Sequence, residues 1–493
     1  MFLLELRGYK EVDGVMDFSD SPKGLNNSIM IIIIMIIQFI NRETELGFLN
    51  KKFKTKNTEF IPIYGRRRVG KTELILEFIK DKPSVYFLSS IIEEKENLKK
   101  ISDLLAEFFD DNALRLNGFK DWESVFIYLG LKKKKFVFVI DEFPYLAGVN
   151  KGISSIFQAG WDQYLKDSNI FFILCGSSIG MMYKEVLSYG APLYGRRTGQ
   201  IELKSMLFKE SVNFFPKYSI EDKVIVYSIL GGIPAYLKMF DHKSNLHKNI
   251  ENILDKNHPF FNEPEILVKE ELRESSKYMS ILKAIAFGKT KLNDISNYTE
   301  IERTTLFKYI EVLIELGFIE KQLPVTEKNQ QKSKKGLYFM KDEFFNFWFK
   351  FIFPFKSEIE INKTNDILTK IIKEMNQYVG HGFENICRQL IWDFNSITFN
   401  KSGRWWNKDE EIDIVCLDEQ KRESLFVECK WSSLTEKKAS QILEELKEKS
   451  KFVEWERKKE YFGLIGKKIL GKEKLRKEGF FVWDLEDIKK LMG

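Results

Sequence analysis

Residues Gly65-Arg66-Arg67-Arg68-Val69-Gly70-Lys71-Thr72 satisfy G-x-x-x-x-G-K-[ST] at every fixed position. That spacing serves phosphate binding. Two glycines let the backbone curl, so that the N–H groups along Arg66, Arg67, Arg68 and Val69 converge on phosphate oxygens. Lys71 is placed to reach the β- and γ-phosphates, and the Thr72 hydroxyl to ligate Mg²⁺. The plain alternative is a glycine turn before a basic surface helix. The flanks speak against it: an apolar run, Phe60 to Tyr64, precedes the loop, and Leu74, Ile75, Phe78 and Ile79 follow at helical spacing. A helix starting there aims its partial positive charge at the same phosphates.

A second pair of chemical groups closes an apolar run. Phe136 to Ile140 ends in Asp141-Glu142, and a run of that kind suits a strand buried on both faces. Carboxylates at its tip fall on the ligand-binding edge of a parallel sheet. There Asp141 is suited to holding Mg²⁺ through the ion's water ligands and Glu142 to orienting or polarising a water. Two solvated acids ending a strand are the alternative. A third run, Ile170 to Cys175, ends Gly176-Ser177-Ser178; Ser177 could contact the γ-phosphate, and a Gly-Ser turn explains it equally well. Arg196-Arg197 lie in a later loop, where paired arginines can stabilise phosphate charge. Leu230-Gly231-Gly232-Ile233-Pro234 interrupts a helical region, and alone reads as a helix–helix turn.

Near the carboxyl end, Asp413 lies in an apolar run (EIDIV) and Glu428 and Lys430 in another (LFVECK). Positions two apart on a strand share one face. On adjacent hairpin strands Asp413 and Glu428 can meet, bind Mg²⁺ together and set Lys430 beside a phosphate under attack. Glu384, on the preceding helix, is a further candidate ligand. This set resembles the D…E-x-K signature of restriction-endonuclease-like nucleases. E-x-K also occurs at Glu93–Lys95 and Glu445–Lys447, on expected helices, so the partner Asp413 carries the distinction. Cleavage is left open, since domains of this type often retain only nucleic-acid binding.

These residues need elements to position them. Strands alternating with helices around residues 59–176 predict an α/β parallel sheet. Three short helices (277–287, 291–298, 304–316) and a hairpin follow, the layout of a winged helix. Its third helix would bury Leu306, Tyr309, Ile310 and Leu313, and its wing tip, 328–335, carries lysines but no acid. Phe344 to Phe351 reads as a buried helix docking two domains. The expected order is a leader (1–38), a P-loop ATPase core (39–205), a helical lid (206–270), a winged helix with the aromatic helix (271–355), a linker (356–375) and a nuclease-like α/β domain (376–493). Asn41 is the expected N-cap of the first helix. Ile29 to Ile37 is too short to span a bilayer; Met30 or Met35 is an alternative start.

The chain has 493 residues, enough for several domains, and a net charge of +6 that permits a nucleic-acid partner without demanding one. Its four cysteines form no C-x-x-C pair, which argues against a zinc site or disulfide framework and fits a reducing cytoplasm. Four histidines and no H-E-x-x-H argue against a histidine-based hydrolase.

Asn41-Arg42-Glu43, the phosphate loop, VIDEFPYL (139–146), LCGSSIGMM (174–182), LYGRRT (193–198) and GGIP (231–234) together resemble the archaeal-type ATPases of the STAND group within the AAA+ P-loop ATPases. The resemblance implies ATP as ligand, a sensor role for Ser177, a phosphate contact at Arg196 or Arg197 and packing of Pro234 near the adenine. Three activities are consistent: an ATPase acting as a nucleotide-driven switch, an ATP-gated DNA endonuclease, and a non-hydrolysing DNA-binding module. A second copy of the chain is a further expected partner; a membrane is not.

Overall fold

A computed structural model describes residues 39–330, 333–394 and 399–492. The expected leader, 1–38, and Lys332 of the wing tip lie outside the described residues.

Five parallel strands form the first sheet: β1 (Glu59–Tyr64), β2 (Ser84–Leu88), β3 (Phe136–Asp141), β4 (Ile170–Gly176) and β5 (Ile201–Glu202). Their order is β2-β3-β4-β1-β5, so the chain end of β1 opens between β4 and β5. β1, β3 and β4 are buried along their whole length, as continuous apolar runs require. Alternate residues supply two cores. Phe60, Phe138 and Phe172 stack across one face, with centroids 5.3 and 5.6 Å apart. Ile61, Val137, Val139 and Ile173 face the helix Lys71–Ile79 on the other. Each such side chain contributes about 2 kcal/mol by leaving water, so the sheet is a rigid base for the loops at its carboxyl edge.

After β5 the chain folds into helices, and the first contact is very close. Met206 N–H donates to the Gly232 carbonyl at 2.7 Å, and a Cβ on Gly232 would lie 1.7 Å from the Met206 oxygen. Glycine is therefore required at the second position of the GGIP turn. Helices Ser275–Ala286, Leu292–Thr299 and Arg303–Glu315 precede the antiparallel hairpin of β6 (Ile319–Gln322) and β7 (Leu337–Met340). Leu306, Tyr309, Ile310 and Leu313 are buried, while Arg303, Thr304, Thr305 and Lys308 are exposed. The helix Glu343–Phe351 buries its aromatic residues, and Trp348 Nε1 donates to the Phe261 carbonyl at 3.0 Å.

Two local expectations are corrected. Residues 356–375 are not an open linker: 356–360 are helical, and a 26-residue helix runs from Asn365 to Leu390. Ile359, Ile367 and Ile371 are buried, so an amphipathic stripe inside a charged stretch pins this segment to the apolar core. Nor does Asn41 cap the first helix. Arg42 precedes Glu43–Phe53, and Asn41 and Arg42 both lie at positive φ, 60° and 74°. Asn41 instead donates to the Glu210 carbonyl and accepts from Asn213 at 3.1 Å.

The second sheet contains β8 (Lys401–Asn407), β9 (Glu410–Asp418), β10 (Glu423–Leu434), β11 (Lys459–Ile469) and β12 (Phe481–Trp483), in the order β12-β11-β10-β9-β8. β8, β9 and β10 form an antiparallel meander. The helix Glu436–Ser450 crosses over and returns β11 parallel to β10. The hairpin domain is stitched to this sheet: Val325 N–H donates to the Arg404 carbonyl at 2.8 Å, and the Arg404 guanidinium lies 5.1 Å above the Phe339 ring.

Candidate functional sites

The loop after β1 is shaped by three positive φ angles: Gly65 at 151°, Arg68 at 69° and Gly70 at 90°. A Cβ on Gly65 would sit 2.2 Å from the Leu203 carbonyl oxygen, so the residue that follows β5 presses directly on the loop. Lys71 Nζ donates to the carbonyls of Gly65 and Arg66, both at 2.9 Å. Arg42 braces the loop from outside. Its buried guanidinium donates to the carbonyls of Val69 at 3.2 Å and Lys204 at 2.6 Å. A cavity of about 360 Å³ opens beside the loop, bordered by Gly65, Arg66, Val69, Leu203, Gly232 and Asp342. Pro234 packs against the loop as well, its Cγ 3.9 Å from where a Gly70 Cβ would be.

Asp141 is buried and accepts three hydrogen bonds: Thr72 Oγ1 at 2.9 Å, Tyr86 OH at 2.5 Å and the Glu142 N–H at 2.8 Å. Burial, reinforced by this carboxylate, pushes the Tyr86 phenol far above its ordinary range, so it remains a donor. Glu142 adopts the left-handed region, φ 53°, and accepts from Ser177 Oγ at 2.9 Å and Ser177 N–H at 3.3 Å. Thr72, Asp141, Glu142, Ser177 and Lys71 thus converge at the carboxyl edge of the sheet. The paired arginines do not join them. Arg196 is held by Asp162 at 2.8 Å and by the Pro192 carbonyl at 3.1 Å. Arg197 donates to Tyr194 O at 3.1 Å and to Gln200, and stacks over the Tyr194 ring.

Each arginine of the loop meets an acid from the later half of the chain. Arg66 pairs with Asp342 at 2.6 Å and lies 4.3 Å above the Phe318 ring. Arg67 pairs with Glu271 at 2.7 Å, and Arg68 with Glu263 at 2.7 Å. Burial raises both Glu271 and Glu263 above the usual carboxylate range, with the arginines opposing it.

In the second sheet the register pairs Ile414 with Val427, which places Asp413 opposite Glu428 one step further on. Asp413 Oδ2 accepts the Cys429 N–H at 2.8 Å. Glu428 is buried, with Lys430 2.7 Å from Oε2 and Lys449 2.9 Å from Oε1; Lys430 lies 3.8 Å from Asp413. Burial, then the charges of Glu428 and Glu384, push Asp413 up to about 8. Burial also acts on Glu428, but the two lysines outweigh it and hold it below its usual value. Glu384 behaves likewise: burial is outweighed by His381, Arg404 and Arg388. Among the described residues no three acids, histidines or cysteines are grouped closely enough to hold a metal by themselves. Two carboxylates do match the protein share of a Mg²⁺ site, where water and substrate phosphate complete the shell.

Arg42, Tyr86, the acids opposite the loop arginines, and Lys449 were not singled out for these roles from sequence. Each acts on a residue far away in the chain, and only the Asn41-Arg42-Glu43 box flagged one of them.

Residues 39–240 match a family model described as an ATPase domain predominantly from Archaea. Residues 348–442 match one described as archaeal and bacterial proteins of unknown function. The chain is 37% identical over 459 residues to the uncharacterized protein MJECL04 of Methanocaldococcus jannaschii, covering 91% of this chain and 99% of that protein. It is 49% identical over 47 residues to the uncharacterized ATP-binding protein MJ0423 of the same organism, 10% of this chain and 80% of that one. Among solved structures, the Walker-type ATPase PABY2304 of Pyrococcus abyssi superposes with a TM-score of 0.48 at 22% identity, over 63% of this chain and 96% of that one. The Aeropyrum pernix ORC2 protein superposes with a TM-score of 0.41 at 12% identity, over 66% and 96%. No helix among the described residues is long and apolar enough to cross a membrane.

Proposed function

This chain belongs to the archaeal ATPase-domain family, and from that premise we propose that it is a Mg²⁺-dependent ATPase whose nucleotide state sets the position of its carboxyl-terminal domains. Nucleotide binding by an ATPase domain is the family's property. The finer reading is carried by one observation: the three loop arginines are each tied to an acid from beyond the sheet, Glu263 in the lid segment and Glu271 and Asp342 in the segment after it. A loop that wraps phosphate cannot change its shape without disturbing those pairs, so ligand and domain position are linked.

The geometry supports the following roles. The loop amides and Lys71 hold the β- and γ-phosphates. Thr72 and Asp141, already 2.9 Å apart, share the metal, which neutralises phosphate charge when bound. Glu142, aimed by Ser177, orients the attacking water and accepts its proton. Pro234 and the adjoining cavity take the adenine side. Arg197, held by Tyr194 and Gln200 in its own chain, would serve the phosphates across a contact with a second copy.

A second activity is favoured by the Asp413, Glu428 and Lys430 cluster. The meander, crossover helix and parallel return strand are the frame that a restriction-endonuclease-like core needs, and we infer a nuclease-like, DNA-binding domain gated by the ATPase. The exposed face of Arg303–Glu315 adds a candidate DNA contact. Following ADP release and plasmid nicking together, with Glu142→Gln and Lys430→Ala, separates the two activities. Absence of ATP turnover in the intact protein, with and without DNA, removes the switch reading.

A further inference from the structure

The nuclease-like cluster holds a group that its sequence signature does not include. Lys449, near the end of the crossover helix Glu436–Ser450, reaches back across the sheet. Its Nζ lies 2.9 Å from Glu428 Oε1 and 3.3 Å from the Glu411 carbonyl. Lys430 takes the other oxygen of the same carboxylate at 2.7 Å. Both oxygens of the buried Glu428 are therefore engaged by ammonium groups. A divalent cation needs at least one of them.

We propose that Lys449 is a positioning residue that couples metal uptake to phosphate: with Lys430 it occupies Glu428, and a DNA phosphodiester draws the lysines off, freeing the carboxylate for Mg²⁺ or Mn²⁺. This rests on the nuclease-like reading of the domain. The chemistry is an exchange of charge partners. Lysine is a flexible, strongly hydrated cation that can swing from carboxylate to phosphate. Lys449 is about one-third exposed, so its ammonium meets solvent and any bound backbone, whereas Glu428 is sealed below it. Asp413 is oriented by the Cys429 amide and shares Lys430, 3.8 Å away. The device keeps the two carboxylates paired, with little attraction for free cations, until nucleic acid arrives. By linkage, phosphate and metal then strengthen each other's binding equally.

The test is calorimetric titration of Mn²⁺ into the full chain, alone and with a short duplex DNA, for wild type, Lys449→Ala and Lys451→Ala. Lys451 lies one residue past the end of the same helix and pairs with Glu448, so its removal makes the same charge change off the carboxylate. Thr72→Ala in every protein keeps the nucleotide site from contributing, and circular dichroism checks folding. The expected result is weak Mn²⁺ uptake by wild type that tightens by about tenfold or more with DNA. Lys449→Ala should bind Mn²⁺ tighter without DNA and gain less from it, while Lys451→Ala matches wild type. If Lys449→Ala and Lys451→Ala behave alike, or if the DNA-dependent gain is unchanged in Lys449→Ala, the coupling role is overturned and the metal site stands. If no protein takes up Mn²⁺ even with DNA, the nuclease-like reading itself falls.

Discussion

Arg66, in the middle of the phosphate loop, forms a 2.6 Å ion pair with Asp342, the residue that caps the buried aromatic helix through the Phe345 N–H. One carboxylate thus joins the phosphate loop to a helix that packs against Ile220–Leu230 and Ser275–Ala286. Asp342→Asn keeps the cap, since asparagine accepts the same hydrogen bond, but leaves the Arg66 charge unpaired in a mostly buried place. The expected cost is about 3 kcal/mol of stability, measured as a lower urea midpoint, together with faster release of a fluorescent ADP analogue. An unchanged release rate would show that this pair does not link nucleotide to domain position.

Glu142 and Ser177 form the second test. Glu142→Gln should retain ATP and lose turnover by about a hundredfold, because the amide cannot accept the water's proton. Ser177→Ala removes the 2.9 Å hydrogen bond that aims Glu142 and should lower turnover by about tenfold with little change in KM. Single-turnover hydrolysis measures both. Equal rates in wild type and Ser177→Ala would assign the serine to the turn alone.

Tyr86 reports on the metal-facing acid. Tyr86→Phe strips one of three donors from the buried Asp141 and should cost about 1 kcal/mol of stability. It should also raise the Mg²⁺ concentration needed for half-maximal turnover, read from a metal titration at saturating ATP. A normal metal requirement would leave Tyr86 as packing only.

Glu343 gives a pH signature. Burial, partly opposed by His381, raises its carboxyl from 4.5 to about 7. The folded protein therefore keeps this proton where the unfolded chain has lost it. Its contribution is fully present below 4.5, declines as pH rises from there, and is lost once pH passes about 7. The total is about 3 kcal/mol. Glu343→Gln keeps an acceptor for Asn385 Nδ2, 2.7 Å away in the wild type, and should flatten that part of the stability–pH curve. Parallel curves for wild type and variant would mean that the group is solvated.

What the sequence revealed was what lies close in the chain. The loop, the strand before it and the helix after it occupy one short stretch whose apolar period and glycines carry the whole signal. Asp141 and Glu142 were legible because they end such a run. The Asp413 and Glu428 pairing was legible because a hairpin register is local. The partners of Arg66, Arg67 and Arg68 were not, because Asp342, Glu271 and Glu263 are ordinary acids until folding brings them opposite the loop. Lys449 was hidden for the same reason, as one lysine among several on an amphipathic helix. The stretch 356–375 was misjudged because its charge outweighed the isoleucine stripe that pins it.

The central claim is that the curled loop with Lys71 and Thr72 clasps a magnesium-bound triphosphate. Isothermal calorimetry of ATP into the intact protein, with and without Mg²⁺, and into Lys71→Ala, tests it most directly. The account predicts magnesium-dependent uptake in wild type, weakened about a hundredfold in the variant. No uptake by wild type, or equal uptake by both proteins, would contradict it.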